Sequence, residues 1–446
     1  MQTYTLIIAA VTSILVFVSA PIYGIVLYIS TLAWYPSYLT VKVGTIDFSA
    51  SRIIILAIWI KLLIGTTLPK QFKFILLDKL VIILYLCEIL AGSTTTPLSI
   101  LLENRAGAFF DTALSYFAVR MIMTDKQKYL CLLKYTLLIA APLAIFGFYE
   151  CLTGHNPFGF LKAYHAWREG LTYQATARYG FFRAQATFPM SIMFGLFFAM
   201  FGPVCAGLLL NVKKGKVLAG LGVALMGLGA FSSVSSGPIL AALLATLFVA
   251  SYHWRKYWKP VVILIIIMCG VVEIISNRHF YDVLGRFTFS PHTAWYRSKL
   301  INVALFEGGM SGHWIFGYGL FVDPKWSLKL DMRDHTDIVN HYLRVLCNYG
   351  LVGLVPFMGI IATALRNIVK AYRNSISNAD KWLVWCLGGM FFGTLPALVT
   401  VSLFGQPHNI FYIVLGFAGA MPLVIERENS DLLSNEAVML PHYSHS

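Results

Sequence analysis

Charge is what this 446-residue chain has least of: 12% of its residues are Asp, Glu, Lys or Arg, 58% are hydrophobic, and the mean hydropathy is +0.71. So few charges cannot cover the surface of a water-soluble globule of this length, and that class is excluded. Acid is scarcer than base, 20 residues against 34, which leaves a net charge of +14. No nucleic-acid partner follows, because much of the excess sits in short loops between apolar runs. The seven cysteines, at 87, 131, 151, 205, 269, 347 and 386, include no CxxC pair, so neither a disulfide framework nor a thiolate metal site is expected. HExxH is missing, as is any DxD between the later apolar runs. "GYG" at 317–319 lacks the strand, helix and lysine of a phosphate loop, which argues against ATP-driven chemistry. Neither a metal nor a cofactor is expected. No internal repeat or low-complexity tract is visible.

What the chain has instead is a succession of apolar runs, each near the ~20 residues that cross a bilayer as helix. They fall at 4–20, 22–36, 51–66, 75–92, 106–123, 129–149, 187–210, 217–233, 237–252, 260–276, 341–365, 382–402 and 407–425. The first two meet at Pro21 and form a hairpin or one broken helix, so twelve or thirteen spans are expected. The expected fold is an all-α, polytopic integral membrane protein forming one domain. The N-terminal run lacks a basic leader and a cleavage site and is read as retained. The polar stretch 426–446 is read as a loose cytoplasmic tail.

Lys and Arg in short loops set orientation, because positive residues are retained on the cytoplasmic side. "LPKQFKF", "TDKQK", "NVKKGK", "HWRKYWK" and "LRNIVKAYRNSISNADK" occupy alternate loops and are assigned inside. Two long segments, 150–186 and 277–340, then lie outside and have room for short helices. Both carry cations that the positive-inside rule does not call for: Lys162, Arg168, Arg178 and Arg183 in the first, and Arg278, Arg286, Arg297, Lys299, Lys325, Lys329 and Arg333 in the second. Long translocated loops tolerate such charge, so solvation alone is one reading. Guanidinium is also a permanent, planar fork that matches phosphate oxygens in pairs, and a phosphate at a membrane surface is most simply a lipid headgroup. Arg183, beside the start of a span, and Arg297, on an amphipathic stretch, stand out most as phosphate ligands, followed by Arg52 at the outer end of its span. Arg120, at a cytoplasmic end, reads as a snorkelling residue.

Most histidines fall on the outer side. His335 and His341 bracket Asp337 just before the span that opens "VNHYLRVLCNYGLVGL", and a histidine there can orient or deprotonate a sugar hydroxyl. Asp331, Asp334 and Asp337 recur every third residue with Arg333 among them, which suits a solvated face better than a metal site. "SSVSSGP" at 232–238 reads as a tight outer turn. Outer aromatics, among them Tyr164, Trp167, Tyr173, Trp295, Trp314 and Trp326, read first as an interfacial belt and second as sugar-stacking platforms.

Four stretches, taken in order, resemble the O-antigen ligase and Wzy-polymerase superfamily of bacterial surface-polysaccharide assembly. They are "YPSYLTVKVGTIDFSASRIIIL", "FYECLTGHNPFG", "FRAQATFP" and "HTAWYRSKLINVAL…WIFGYG…VNHYLRVLCNYGLVGL". Ligases of the family read His-Asn-x-Tyr-Leu where this chain has Val339 before Asn340 and a histidine at 341. The form is closer to exopolysaccharide and capsule repeat-unit polymerases. The resemblance implies a metal-independent GT-C glycosyltransferase in the cytoplasmic (inner) membrane with its site facing the periplasm. Its donor would be an undecaprenyl-pyrophosphate-linked oligosaccharide, and its partners membrane lipid, a flippase and a chain-length regulator. Arg183 and Arg297, with Arg52 and Arg286, would hold the pyrophosphate; His341, assisted by His335 or Asp337, would act on the acceptor hydroxyl. O-antigen ligase, protein oligosaccharyltransferase and lipid-linked oligosaccharide flippase are the competing readings.

Overall fold

The computed structural model describes residues 1–65, 72–164, 175–275, 279, 291–320, 322–330 and 336–439. Apolar runs bring a backbone whose N–H and C=O groups must be satisfied locally, and helix does so within one segment. Each expected span accordingly contains helix. α1 (Gln2–Val18) and α2 (Pro21–Trp34) are separate. Pro21 is the first residue of α2, where its missing N–H costs nothing, and the chain reverses there, so that Thr5 Oγ1 meets Tyr35 OH at 2.7 Å. The pair is therefore a hairpin.

A small hairpin of β1 (Thr40–Val43) and β2 (Ile46–Ser49) turns at Gly44 and leads into α3 (Ala50–Ile64), which Ser49 caps through the Arg52 N–H. α4 (Leu76–Ser93) follows. α5 (Leu98–Phe109) passes through a π-helical turn at Phe110–Leu114 into α6 (Ser115–Ile122). After α7 (Lys126–Thr153) come a 3₁₀ turn at Gly159–Tyr164 and a second hairpin, β3 (Ala177–Arg178) with β4 (Phe181–Phe182). Next are α8 (Ser191–Ala206), α9 (Leu208–Asn211), α10 (Lys216–Ser232), α11 (Ser236–Ala250), α12 (Trp258–Ile275) and α13 (Pro291–Leu305). The chain closes with α14 (His341–Asn374), α15 (Asn378–Ala397) and α16 (Gln406–Met439). The fold is all-α, with those two hairpins as the sheet among the described residues.

Five helical stretches are long and apolar enough to cross a membrane: Lys126–Thr153, Ser191–Asn211, Ser236–Tyr257, His341–Asn374 and Gln406–Leu432. α8 is the central one. Phe194, Phe197, Phe198 and Phe201 on it are at most 1% exposed, in one cluster with Phe391 of α15 and Phe411 and Phe417 of α16. The periphery is equally apolar but uncovered: Ile263 through Met268 of α12 are each between 48% and 64% exposed. A continuous apolar surface of this kind suits lipid and not water. α16 runs on to Met439, so most of the stretch read as a loose tail is helix; Lys370–Glu426 at 2.9 Å and Asn429 Nδ2 to Asn374 O at 2.8 Å pin its beginning to α14.

The basic loops gather at one end. Lys126 pairs with Asp380, Asn211 donates to Ala379 O, Tyr252 to Asn378 O, Arg427 to Thr124 O and Arg120 to Lys73 O. The opposite end collects both hairpins, the 232–236 turn, the 306–330 segment and the 398–405 connection. There Ala184 N–H bonds Ser232 O, Ser37 bonds Gln406, and Ser402 bonds Ile338 O.

α14 is broken at Gly350, whose φ of +61° and ψ of −159° no other residue adopts comfortably. The segment 314–319 threads the gap. Tyr318 and Gly319 N–H donate to the carbonyls of Cys347 and Asn348, while Leu351 and Val352 N–H donate to Trp314 and Ile315 O. Groups that the break leaves open are thus paired, as irregular backbone deep in an apolar bundle requires.

Candidate functional site

The first half of the site is built by α7 and the chain that follows it. Gly154, left-handed at φ +72°, ends α7. Glu150 accepts the Ala186 N–H at 2.8 Å, and Asn156 Nδ2 donates to Ala186 O at 3.1 Å, so both backbone groups of Ala186 are clasped. This fixes the strand just after Arg183. Upstream, Tyr179 and Gly180 are both at positive φ, the conformation of a two-residue hairpin turn. Arg178 faces Phe181 across that hairpin, and Arg183 lies two residues beyond Phe181, so the two arginines share a face. Arg183 Nη2 donates to Ser235 Oγ at 2.9 Å, while its Nε is buried without an acceptor.

Arg297 comes from α13 to within electrostatic reach of Arg178. That helix packs through Leu300, Val303 and Ala304 onto Leu343, Leu346 and Cys347 of α14, and Tyr296 OH donates to Asp337 O at 2.5 Å. Nε and Nη1 of Arg297 are both buried without a partner. Arg178 is close enough for its charge to act on both other arginines. Burial first, and then that like charge, lower Arg183 below the ordinary arginine value and push Arg297 down to about 10. Both remain cations at neutral pH. Among the described residues no carboxylate pairs with any of the three. Partly buried like charges with open N–H groups have the chemistry to bind an anion.

The second half lies at the start of α14. Asn340 caps the helix by accepting the Leu343 N–H, and His341 N–H donates to Leu398 O at 2.8 Å. The His341 ring is 6% exposed, edge-on to Phe357 and 6.2 Å from the His408 ring. Its Nδ1 accepts the Leu403 N–H at 3.2 Å. That bond fixes the neutral tautomer with hydrogen on Nε2, so the ring presents a donor. Taking up a proton requires a tautomer change or loss of the Leu403 bond. Arg344, half-buried one turn along, acts electrostatically on both rings and forms no side-chain ion pair among the described residues. The acids nearby are engaged already: Glu88 with Arg105 at 2.6 Å, and Asp111 with Arg52.

Of the residues singled out in the sequence, Arg183 and Arg297 each lie within electrostatic reach of Arg178. Arg52 stands apart from them: Nε and Nη2 hold Asp111, with Nη2 to Oδ2 at 2.5 Å, and Nη1 donates to Asp47 O at 2.7 Å. Asp111 is held in turn by Asn409, which also bonds Tyr28 OH. Asp337 is exposed, and the contact that places it uses its backbone carbonyl. Trp326, read as an interfacial or stacking aromatic, is 4% exposed and packs edge-on to Tyr318, so it belongs to the core under α13. His335, Arg286, Asp331, Asp334, Arg333, Arg168, Arg278, Trp167 and Tyr173 lie outside the described residues.

Sequence reasoning did not single out Arg344 or set His408 beside His341, and took Arg178 for one cation among many. Arg344 did carry a signal: it is a cation standing three residues into an apolar run whose start the sequence analysis places outside, where the positive-inside rule gives it no reason to be. Among the described residues, no group of three His, Cys, Asp or Glu side chains is placed to hold a metal ion. Compared with known proteins, the chain matches no family model and no curated protein sequence.

Proposed function

We propose that the chain is a polytopic membrane glycosyltransferase. It transfers a growing glycan from undecaprenyl pyrophosphate to the next lipid-linked repeat unit at the outer face of the bacterial cytoplasmic membrane. The reading is carried by Arg183 and Arg297, which both keep buried N–H groups without an acceptor and both lie within electrostatic reach of Arg178. In transfer, the bond from the anomeric carbon to the diphosphate oxygen breaks and the acceptor hydroxyl takes its place. Negative charge grows on the departing diphosphate, and fixed guanidinium groups oppose it without a metal. Arg183 and Arg297 hold the leaving group, with Arg178 adding charge behind them. His341 offers its Nε2–H to orient the acceptor or to bond an oxygen of the departing group, and Arg344 supplies a further cation beside it. The acceptor's proton passes to solvent on the outer side.

The basic end of the bundle is then cytoplasmic, and the end with the hairpins and the broken helix faces the periplasm. The thirteen apolar runs are the spans. The test is to give the purified protein in nanodiscs one lipid-linked repeat unit and nothing else. Growth of glycan chains on the lipid supports a polymerase. A requirement for added lipid A core or for acceptor protein moves the assignment to ligase or oligosaccharyltransferase. In proteoliposomes, movement of the lipid across the bilayer without glycan growth rejects the enzyme altogether.

A further inference from the structure

The break in α14 carries part of the 306–330 segment below the level of a surface loop. Residues 345–365 of α14 hold no charge, and Arg366, which is exposed, is the next cation along the helix. At about 1.5 Å per residue Gly350 stands roughly 24 Å from Arg366, short of the ~30 Å that the hydrocarbon of a bilayer spans. Residues 314–316, which pair with α14 at the break, therefore lie at the depth of acyl chains and not of head groups. Irregular backbone is tolerated there when its polar groups have partners. Trp314 O and Ile315 O accept the Leu351 and Val352 N–H groups, Tyr318 and Gly319 N–H donate to Cys347 O and Asn348 O, and Gly317 N–H donates to His313 O. So close an approach needs glycine: a Cβ on Gly317 would stand 2.5 Å from Cys347 O.

The backbone is spent on α14, but the side chains are not covered by it. Trp314, Ile315 and Phe316 are all exposed, Ile315 to 60%. Three large apolar side chains in a row are a costly surface to leave in water. Leu351, Val355 and Met358, which share one face of α14 just past the break, are exposed as well. The Leu351–Trp314 hydrogen bond makes the two exposed surfaces adjoin. Since α14 is one of the helices long and apolar enough to cross a membrane, its uncovered apolar face is turned to lipid, and 314–316 continues that face. We propose that residues 314–316 form a re-entrant tip, inserted among the acyl chains of the leaflet away from the basic loops, with lipid as its partner. Tyr318, two residues on, packs in the cluster that seats α13, so the tip anchors the helix of Arg297 to the bilayer. The inference rests on the membrane reading and holds whatever reaction the arginines serve.

The experiment uses full-length protein in nanodiscs, cleared of its native thiols, with a nitroxide attached to one introduced cysteine at a time. Collisions with oxygen, which dissolves among acyl chains, are compared with collisions with a neutral nickel chelate, which stays in water. Ile315→Cys, and independently Phe316→Cys, should favour oxygen several-fold over Lys214→Cys, at an exposed position in the basic turn before α10. Both should match Ile266→Cys, on the uncovered face of α12. A preference for the chelate like that at Lys214 puts the tip in water and overturns the inference. Low access to both reagents overturns it as well, because another protein surface would then cover the tip. Failure of the membrane reading looks different: the label at Ile266 would itself meet the chelate as freely as the label at Lys214.

Discussion

Arg183 illustrates how a cation is aimed. Its Nη2 is tied to Ser235, which in turn donates to Ser233 O at 2.8 Å, and the buried Val234 between them is held at φ +42°. A β-branched residue is an outlier in that region, and it persists where packing over-determines the turn. Ser235→Ala should therefore leave abundance and thermal stability near wild type while raising the apparent Kd for pyrophosphate several-fold, and Ser235→Thr should restore it. A serine that serves only the turn would move stability and leave affinity alone. Arg183→Lys and Arg297→Lys keep the charge and lose the planar fork, so transfer should fall by roughly 10²-fold in an assay of chain growth. At His341, the bond from Leu403 N–H to Nδ1 makes a donor role testable. His341→Ala should cost about 10²–10³-fold, whereas His341→Gln, which keeps an N–H, should retain more. If Gln is as inactive as Ala, the histidine takes a proton instead. At this scale the sequence could point to Arg183 and Arg297, since cations outside a membrane stand against the positive-inside rule. It ranked Arg52 behind them but kept it as a candidate, because the Asp111 that engages Arg52 lies 59 residues away in the chain.

Among elements, the helix runs were legible because apolar periodicity and length are local properties, and the runs at 129–149 and 407–425 fall within α7 and α16. The break in α14 was not. "NYGLVGL" shows two glycines at ordinary spacing, and only the crossing of 314–319 distinguishes Gly350 from Gly353. A Cβ on Gly350 would stand 2.2 Å from Ile315 O, so Gly350→Ala combines a forbidden backbone with a backbone clash. We expect a cost of at least about 3 kcal/mol, read as loss of folded protein in a thermal-shift series. A Cβ on Gly353 would press on the Tyr349 side chain at 2.4 Å, at ordinary helical φ, and Gly353→Ala should be the milder change. Equal tolerance of both substitutions would mean that the helix is continuous. The far end of α16 was misread for the opposite reason. Its polarity suggested a loose tail, but ties from Glu426 and Asn429 to α14 hold its start in helix, which runs on to Met439.

For the whole molecule, the arrangement of charge makes one prediction on which the chemistry depends. The basic loops converge through Lys126–Asp380, Arg427–Thr124 and Asn211–Ala379, while the arginine and histidine sites lie at the other end. If the positive-inside rule applies, these two ends face opposite compartments, and a lipid-linked glycan waiting outside reaches only the second. Single cysteines in a background cleared of the native thiols can decide this. Leu328, 89% exposed within the 3₁₀ turn Ser327–Leu330, should react as Leu328→Cys with a membrane-impermeant maleimide in cells whose cytoplasmic membrane is intact. Lys214→Cys, in the basic turn before α10, should react only after that membrane is opened. The reverse pattern would put Arg183, Arg297 and His341 in the cytoplasm, where a polymerase of exported glycans has no substrate. The same three residues would then have to serve a lipid diphosphate on the inner leaflet.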